Sequence, residues 1–338
     1  MALVTVVIAT RDRRVELLRT LDRLAALPER PPVVVVDNGS SDGSPDAVRA
    51  AHPAVRVVEL GTNRGAPARN VGVDAAATPY VAFADDDSWW APGSLARAAE
   101  LFAGHPRLAV IAARILVGPE ERLDRVCTEM AASPLTPPPG IALPGPPVLG
   151  FVACGALVRR AAFLEVGGFD DVVFFFGEEQ RVALDLDRAG WHLAYVEDVV
   201  AHHYPSSQRV PAARRALAVR NDLLTTWMRR PLRPALARTA RALRRAVREP
   251  AQRAGLAQAA PRLRAALAER RPVPAALERR VRLLEASSAP ARLPDGQRGS
   301  DQPPIHDDLH GRADGPHERQ ALATGRRAAA ARGTGIRP

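Results

Sequence analysis

Apolar positions in the first 110 residues come in short β-branched bursts, separated by longer stretches with helical spacing. Leu3–Ala9 and Val33–Val36 are too short for helices and are bounded by polar turns, the pattern of buried strands. Between them, Val15, Leu18, Leu21, Leu24 and Ala25 recur along Arg13–Leu27 as one face of a helix. The alternation continues with a Gly/Ser turn, a helix from Pro45 to about Ala51 and a strand at Val55–Glu59. A helix at Pro67–Ala77 then leads to a strand at Tyr80–Ala84. Strands separated by helices predict right-handed crossovers and a parallel α/β sheet.

Beyond residue 110 the pattern changes. Ser133–Pro147 is rich in Pro and Gly and reads as a loop. Val148–Val158 has strand character, and Phe163–Gly168 reads as helical. Gln180–Ala189 reads as a helix closed by Gly190. Leu193–Val196 and Val199–His203 read as two short strands. From Pro211 to about residue 285, Ala, Leu and Arg repeat with helical spacing. The stretch 286–338 has almost no large apolar residues and is expected to be disordered. The expected layout is an α/β half at 1–110, a second half of the same domain at 111–210, a basic helical extension at 211–285 and the tail at 286–338.

Composition narrows the function classes. Hydrophobic residues make up 46% of the 338, enough for a sizeable core, and all 47 basic residues are arginine. A P-loop NTPase needs a lysine in its phosphate-binding turn, so that class is excluded. The net charge of +10 suggests an anionic partner, and Arg-Arg pairs at 214–215, 229–230, 244–245, 270–271 and 279–280 place much of it after residue 210. These arginines lie on Ala/Leu helices without interleaved aromatics or a zinc, RRM or KH signature. Nucleic acid is therefore not the expected partner, whereas peripheral contact with an anionic membrane fits. Two cysteines, Cys127 and Cys154, form neither a disulfide framework nor a zinc set, which suits a cytoplasmic setting, at the inner face of a membrane if that contact is made. No secretory leader is expected, and no apolar run approaches the roughly 20 residues of a spanning helix.

The chemistry-bearing residues cluster at predicted strand ends. Asp85-Asp86-Asp87 follows the strand Tyr80–Ala84, and Ser88-Trp89-Trp90-Ala91-Pro92 follows at once. Carboxylates packed so closely repel, and a cation relieves the repulsion. An ordinary turn with an Asp capping the helix near Pro92 is the competing reading. Asp37 ends the second strand and could accept from a base N–H or ribose hydroxyls, or simply stabilise the Asn38-Gly39 turn. A dinucleotide fold needs a Gly-x-Gly-x-x-Gly turn after the first strand, and Thr10-Arg11-Asp12-Arg13 stands there instead. Trp89 and Trp90 could stack on a sugar ring or pack in the core.

Taken in order, the segments Thr5–Arg13, Val33–Gly43, Asn63–Gly72 and Phe83–Asp87 resemble the start of family 2 glycosyltransferases. Gly167-Gly168-Phe169-Asp170 and Gly177-Glu178-Glu179-Gln180 look like that family's acceptor-side segment, so the resemblance covers about residues 3–230. It implies a GT-A fold with a mostly parallel sheet flanked by helices. It also implies inverting transfer of a sugar from a nucleotide-diphosphate sugar, a UDP- or dTDP-sugar, to an acceptor hydroxyl with Mn²⁺ or Mg²⁺. The acceptor would be a glycan, a lipid-linked sugar or a small molecule, as in bacterial cell-envelope polysaccharide biosynthesis.

By position, Asp37 would contact the base, and Thr10 and Arg11 would line the nucleotide pocket. Asp85 and Asp86 would face the donor's sugars, and Asp87 would be the metal ligand. Gly65 would allow close backbone approach, and Arg69 would reach a phosphate unless it is a helix-surface residue. The family's Gly-Glu-Asp is here Gly177-Glu178-Glu179, which puts Glu179 at the base position, one methylene longer than usual. Arg181 stands where an acid is common. A metal- or diphosphate-facing histidine is expected at His202 or His203; spacing favours His203. Arg209, Arg214 and Arg215 could neutralise the diphosphate or simply form a solvated helical face. The departures at Glu179 and Arg181 keep open a non-catalytic nucleotide-sugar or glycan-binding protein on the same scaffold.

Overall fold

A computed structural model describes residues 2–205 and 211–287. Arg209 and all of the expected tail beyond residue 287 lie outside the described residues. Residues Met1–Pro290 form one compact unit. The first 110 residues follow their apolar pattern closely: β1 (Val4–Thr10), α1 (Arg14–Ala25), β2 (Val33–Asp37), α2 (Ser44–Ala51), β3 (Arg56–Glu59), α3 (Ala68–Ala75), β4 (Tyr80–Ala84), β5 (Ser88–Trp90) and α4 (Ser94–Gly104). After them come β6 (Leu108–Val117), β7 (Arg122–Leu123), α5 (Arg125–Ala131), β8 (Ala156–Arg159), α6 (Arg160–Glu165), α7 (Glu179–Arg188) and β9 (His192–His203). The helical extension contains α8 (Pro211–Arg229), α9 (Leu232–Ala246), α10 (Pro250–Ala259), α11 (Leu263–Ala268) and α12 (Ala275–Ser287).

Among the described residues all nine strands join one sheet, ordered β3-β2-β1-β4-β8-β6-β9-β5 with β7 alongside β6. β3, β2, β1 and β4 pair in parallel, as crossovers through α1, α2 and α3 require. The remainder is mixed: β8 runs antiparallel to β4 and β6, β9 is parallel to β6, and β5 is antiparallel to β9. Alternation within strands splits the core. Val7 and Phe83 face a cluster with Val73 and Phe163, whereas Val6 and Ile8 face one with Leu17, Leu21 and Trp90.

Three elements differ from the expectations. The two short strands at 193–203 are one strand, β9, whose register against β6 shifts where Glu197 and Asp198 intervene; the polar pair is accommodated as a bulge. Within Val148–Val158 only the end becomes β8, preceded by a single 3₁₀ turn at Ala153–Gly155. Ser88-Trp89-Trp90, which the sequence pattern assigned to no strand, pairs with the end of β9 as Ser88↔His203, Trp89↔His202 and Trp90↔Ala201.

Helix α3 lies tight against β1 because of one glycine. A Cβ on Gly72 would meet Val7 Cγ1 at 2.3 Å and Val36 Cγ2 at 3.1 Å. Gly72→Ala should therefore destabilise the domain by about 1–3 kcal/mol through overpacking, despite alanine's better helix propensity. Urea unfolding of wild type and variant measures it, and an unchanged or raised midpoint would contradict the packing account.

Candidate active site

The C-terminal ends of β1, β2 and β4 open into a cleft of about 660 Å³ lined by Thr10, Arg11, Asn38, Gly65, Arg69 and Asp85–Asp87. Strand ends are the place where backbone amides and short polar loops face a ligand in an open α/β sheet. Asp37 is 3% exposed at the end of β2. Its Oδ2 accepts from the N–H groups of Gly39 (3.2 Å) and Ser40 (3.1 Å), while its buried Oδ1 has no partner. Asn38 locks the neighbouring loop, donating to the Gly65 carbonyl (3.1 Å) and accepting from Arg64 N–H (2.7 Å). Gly65 has φ +64°, and a Cβ there would meet the Phe174 carbonyl at 2.4 Å; the close approach it permits is to this chain's own loop.

The three aspartates occupy three different environments. Asp85 accepts from Arg69 at 2.5 Å. Asp86 accepts from the Thr10 hydroxyl (3.0 Å) and faces Arg13 Nε at 3.2 Å. Asp87 accepts from Arg13 Nη2 (3.1 Å), and its other oxygen lies 3.5 Å from His203 Nε2. Burial first, with repulsion from Asp85 and Asp87, pushes the Asp86 carboxyl up to about 7, although Arg13 opposes the shift. Arg69 is buried, not a surface helical residue: 6% exposed, it spans from Asp85 to Glu178 Oε1 at 3.7 Å. Its two carboxylates more than offset desolvation and hold its pKa up.

The pairing of β5 with β9 separates the histidine doublet. Opposite Ser88, His203 turns toward Asp87, and Tyr204 N–H ties to the Asp87 carbonyl at 2.8 Å. His202 projects from the other face of β9, stacked on Trp89 (centroids 5.6 Å apart) with Nδ1 3.3 Å from Glu121. Trp89 is packed there under Arg23, and Trp90 is fully buried; neither lines the cleft.

Glu178 and Glu179 sit at the start of α7, behind Arg69 as seen from the cleft. Glu178 is 2% exposed. Glu179 is partly exposed, and its Oε1 accepts from Ala153 N–H at 3.2 Å. Burial pushes both carboxyls up, and for Glu178 the neighbouring Glu179 adds to it. The preceding Phe174 (φ +69°) and Phe176 (φ +74°) hold left-handed backbone, a strain that turns the chain from the cleft wall into α7. Arg181 is committed elsewhere, paired with Asp170 and Asp185 at 2.7 Å each.

Several residues at the site carry no local signal in the sequence. Cys154 places its sulfur within 4.8 Å of ligand atoms of Asp85 and His203. Burial and the Asp85 and Asp87 charges push its thiol up, so it remains protonated. The oxygen and nitrogen donors of Asp85 and His203 match a hard divalent cation such as Mn²⁺ or Mg²⁺, with the protonated thiol as a weaker donor; Asp87 adjoins this group through His203. Arg13 could have been noticed beside Thr10 and Arg11. Arg214, expected from the sequence as a candidate diphosphate neutraliser, lines the cleft, as do Arg220 and Arg262, which were visible only as helical arginines. Arg220 and Arg262 are fixed by main-chain oxygens, Val173 (2.9 Å) and Val172 (2.9 Å), and among the described residues neither has a carboxylate partner.

The glycosyl transferase family 2 pattern matches residues 5–167. The N-acetylglucosaminyl-diphospho-decaprenol L-rhamnosyltransferase of Mycobacterium tuberculosis is 31% identical over 267 residues, covering 68% of this chain and 87% of that protein. The chain belongs to glycosyl transferase family 2. As a member, it is a sugar-transferring enzyme with a GT-A fold. Among solved structures, the mannosyltransferase of Pyrobaculum calidifontis, in complex with GDP-Man and Mn²⁺, superposes with a TM-score of 0.53 at 23% identity over 85% of this chain and 79% of that one. Residues 1–349 of S. aureus TarS, in complex with UDP-GlcNAc, give 0.50 at 19% identity, covering 66% of each chain.

Asp86 provides a test of the site's electrostatics in this glycosyltransferase. A raised folded-state pKa means the folded chain keeps a proton that the unfolded chain has released. Its contribution therefore becomes less favourable as pH rises from the ordinary 3.8 toward about 7. With EDTA present, Asp86→Asn should gain stability relative to wild type across that window and level off above it. Urea titrations at several pH values measure the difference, and a flat profile would contradict it.

Proposed function

We propose that this glycosyltransferase moves a sugar, with inversion at the anomeric carbon, from a UDP- or dTDP-sugar to a hydroxyl of a lipid-linked acceptor, using a divalent metal. The observation that carries this reading is the arrangement across Arg69: the donor-side carboxylates at one end of its guanidinium and the α7 carboxylates at the other. One half suits a nucleotide diphosphate and its cation, the other a general base.

On the donor side, Asp37 lies just behind the residues lining the cleft, and its buried, unpartnered Oδ1 is the proposed acceptor for the one imide N–H of uracil or thymine once the base displaces the loop over it; guanine would present two donors. Thr10 and Arg11 line the nucleoside end. Asp85 and Asp86 face the sugars. Asp87 and His203, with Asp85 adjoining, would hold the Mn²⁺ or Mg²⁺. When bound, such an ion neutralises negative charge on the departing diphosphate. Arg214, Arg220 and Arg262 add fixed positive charge to the same cleft.

Glu179 is the proposed base because it is the more accessible of the pair. It takes the proton of the acceptor hydroxyl as that oxygen attacks the anomeric carbon from the face opposite the diphosphate. The anomeric C–O bond breaks, and its electrons leave on the diphosphate oxygen. A carboxyl with a raised pKa is a stronger base once ionised, and the amide dipoles at the N-terminus of α7 favour that ionised form. Glu178, buried against Arg69, positions the guanidinium. The lipid-linked acceptor is supported by the rhamnosyltransferase relative, whose name specifies a diphospho-decaprenol substrate. The reaction is then placed at the inner face of a membrane, although among the described residues no helix is long and apolar enough to cross one.

Glu179→Gln should leave donor binding intact and lower transfer by about 10²–10⁴-fold, the usual contribution of a positioned base. Radiolabelled or coupled diphosphate-release assays read this, and normal turnover would remove Glu179 from the role. Asp87→Ala should lose the Mn²⁺-dependent part of nucleotide binding. A thermal-shift panel of UDP-, dTDP- and GDP-sugars, each with Mn²⁺, Mg²⁺ or EDTA, checks donor and metal together. Equal responses with EDTA would contradict the metal assignment, and a response to GDP-sugars alone the reading of Asp37.

A further inference from the structure

Helix α9 is amphipathic in a way that its packing within the domain does not use up. Its inner face is anchored: Ala235 and Ala242 are buried, and Thr239 Oγ1 accepts from Trp227 Nε1 at 3.0 Å. Arg238 pairs with Asp222 and with Glu285 (Nη1 to Oε1, 2.9 Å), which fixes the helix about its axis against α8 and α12. The outer face is left with Leu232, Leu236, Leu243 and Val247 exposed at 56%, 51%, 56% and 78%. At 3.6 residues per turn these four fall within an arc of about 60°, a continuous stripe.

The charge on the same helix identifies the partner. From Leu232 to Arg248 there are six arginines and no acidic residue. Apart from the anchored Arg238, Arg233, Arg241, Arg244, Arg245 and Arg248 are exposed and, among the described residues, have no carboxylate partner. On the helical wheel they begin where the apolar stripe ends. An apolar stripe bordered by arginine on a rigidly held helix is the chemistry of the boundary between lipid headgroups and acyl chains. A second copy of this chain is a poor occupant, because two such helices would bring their unneutralised arginines together.

We propose that α9 is a membrane-docking surface: Leu232, Leu236, Leu243 and Val247 insert below the headgroups of an anionic bilayer, and the flanking arginines bind its phosphates. This deepens the lipid-linked acceptor reading and depends on it only for its purpose. Arginine attraction to the anionic surface and burial of the apolar stripe act on the same helix, so removal of either set should weaken docking.

The test is sedimentation of the full chain with vesicles of phosphatidylcholine alone or mixed with phosphatidylglycerol. Wild type should bind the anionic vesicles, with affinity falling as salt rises, and not the neutral ones. The double change Leu236→Ser and Leu243→Ser should weaken binding at least tenfold, as should Arg241→Gln, Arg244→Gln and Arg245→Gln together. All these side chains are exposed, so both variants should retain the wild-type melting temperature and nucleotide-sugar shift. Vesicle binding that neither variant alters would overturn the proposal. So would a wild-type dimer that the serine variant converts to monomer, which would make the stripe a self-association face. Loss of any nucleotide-sugar response with vesicle binding intact would instead count against the transferase mechanism and leave the docking surface standing.

Discussion

The site depends on one buried cation, Arg69. Its guanidinium lies between Asp85, at the end of β4, and Glu178, at the start of α7, and so joins two parts of the domain nearly 100 residues apart in the chain. Burying such a charge is tolerable only when paired, and removing one partner would leave the others uncompensated. The pairing requires α3 to lie close on β1, which the missing side chain at Gly72 allows. It also requires the left-handed turn at Phe174–Gly177 to deliver α7 at that place. Packing, loop strain and charge balance thus converge on the same few atoms.

Several carboxylates gather around Arg69. Among the described residues Asp85, Asp86, Asp87, Glu178 and Glu179 face Arg69, Arg13 and His203, and burial first raises the pKa values of Asp86 and the two glutamates, with neighbouring carboxylates adding to it. Under the proposed function, a cation arriving with the diphosphate would relieve the repulsion among these carboxylates. Arg220 and Arg262 also line the cleft and, among the described residues, have no carboxylate partner. They are immobilised by backbone carbonyls that leave their charge intact. The proposed metal–diphosphate group would meet carboxylates and arginines in the same cleft.

The helical extension is part of this machinery. Arg229 of α8 binds Asp185 of α7 through two hydrogen bonds of 2.5 and 2.9 Å, so α8 holds the helix that carries Glu179. Arg230 is in turn buried between Glu278 and Glu285 of α12. Arginines that read as a uniform basic stripe therefore divide into three groups: those locking helices together, those lining the cleft and those facing outward on α9.

Local pattern alone determined the parallel half of the fold. Burial of β-branched runs and the helical period are properties of neighbouring residues, so β1 to β4 and α1 to α3 were legible, as were the positions of Asp37 and the aspartate run. The ordered motifs also identified the family. Tertiary structure decided what depends on distant partners. Ser88-Trp89-Trp90 becomes a strand only because β9 is there to pair with it, and that register sends His203 to the site and His202 away. Cys154 reaches Asp85, and Arg69 leaves the helix surface for the interior, through contacts that no periodicity encodes. A side chain's type is fixed locally, but its charge environment is the sum of groups brought together by the whole fold.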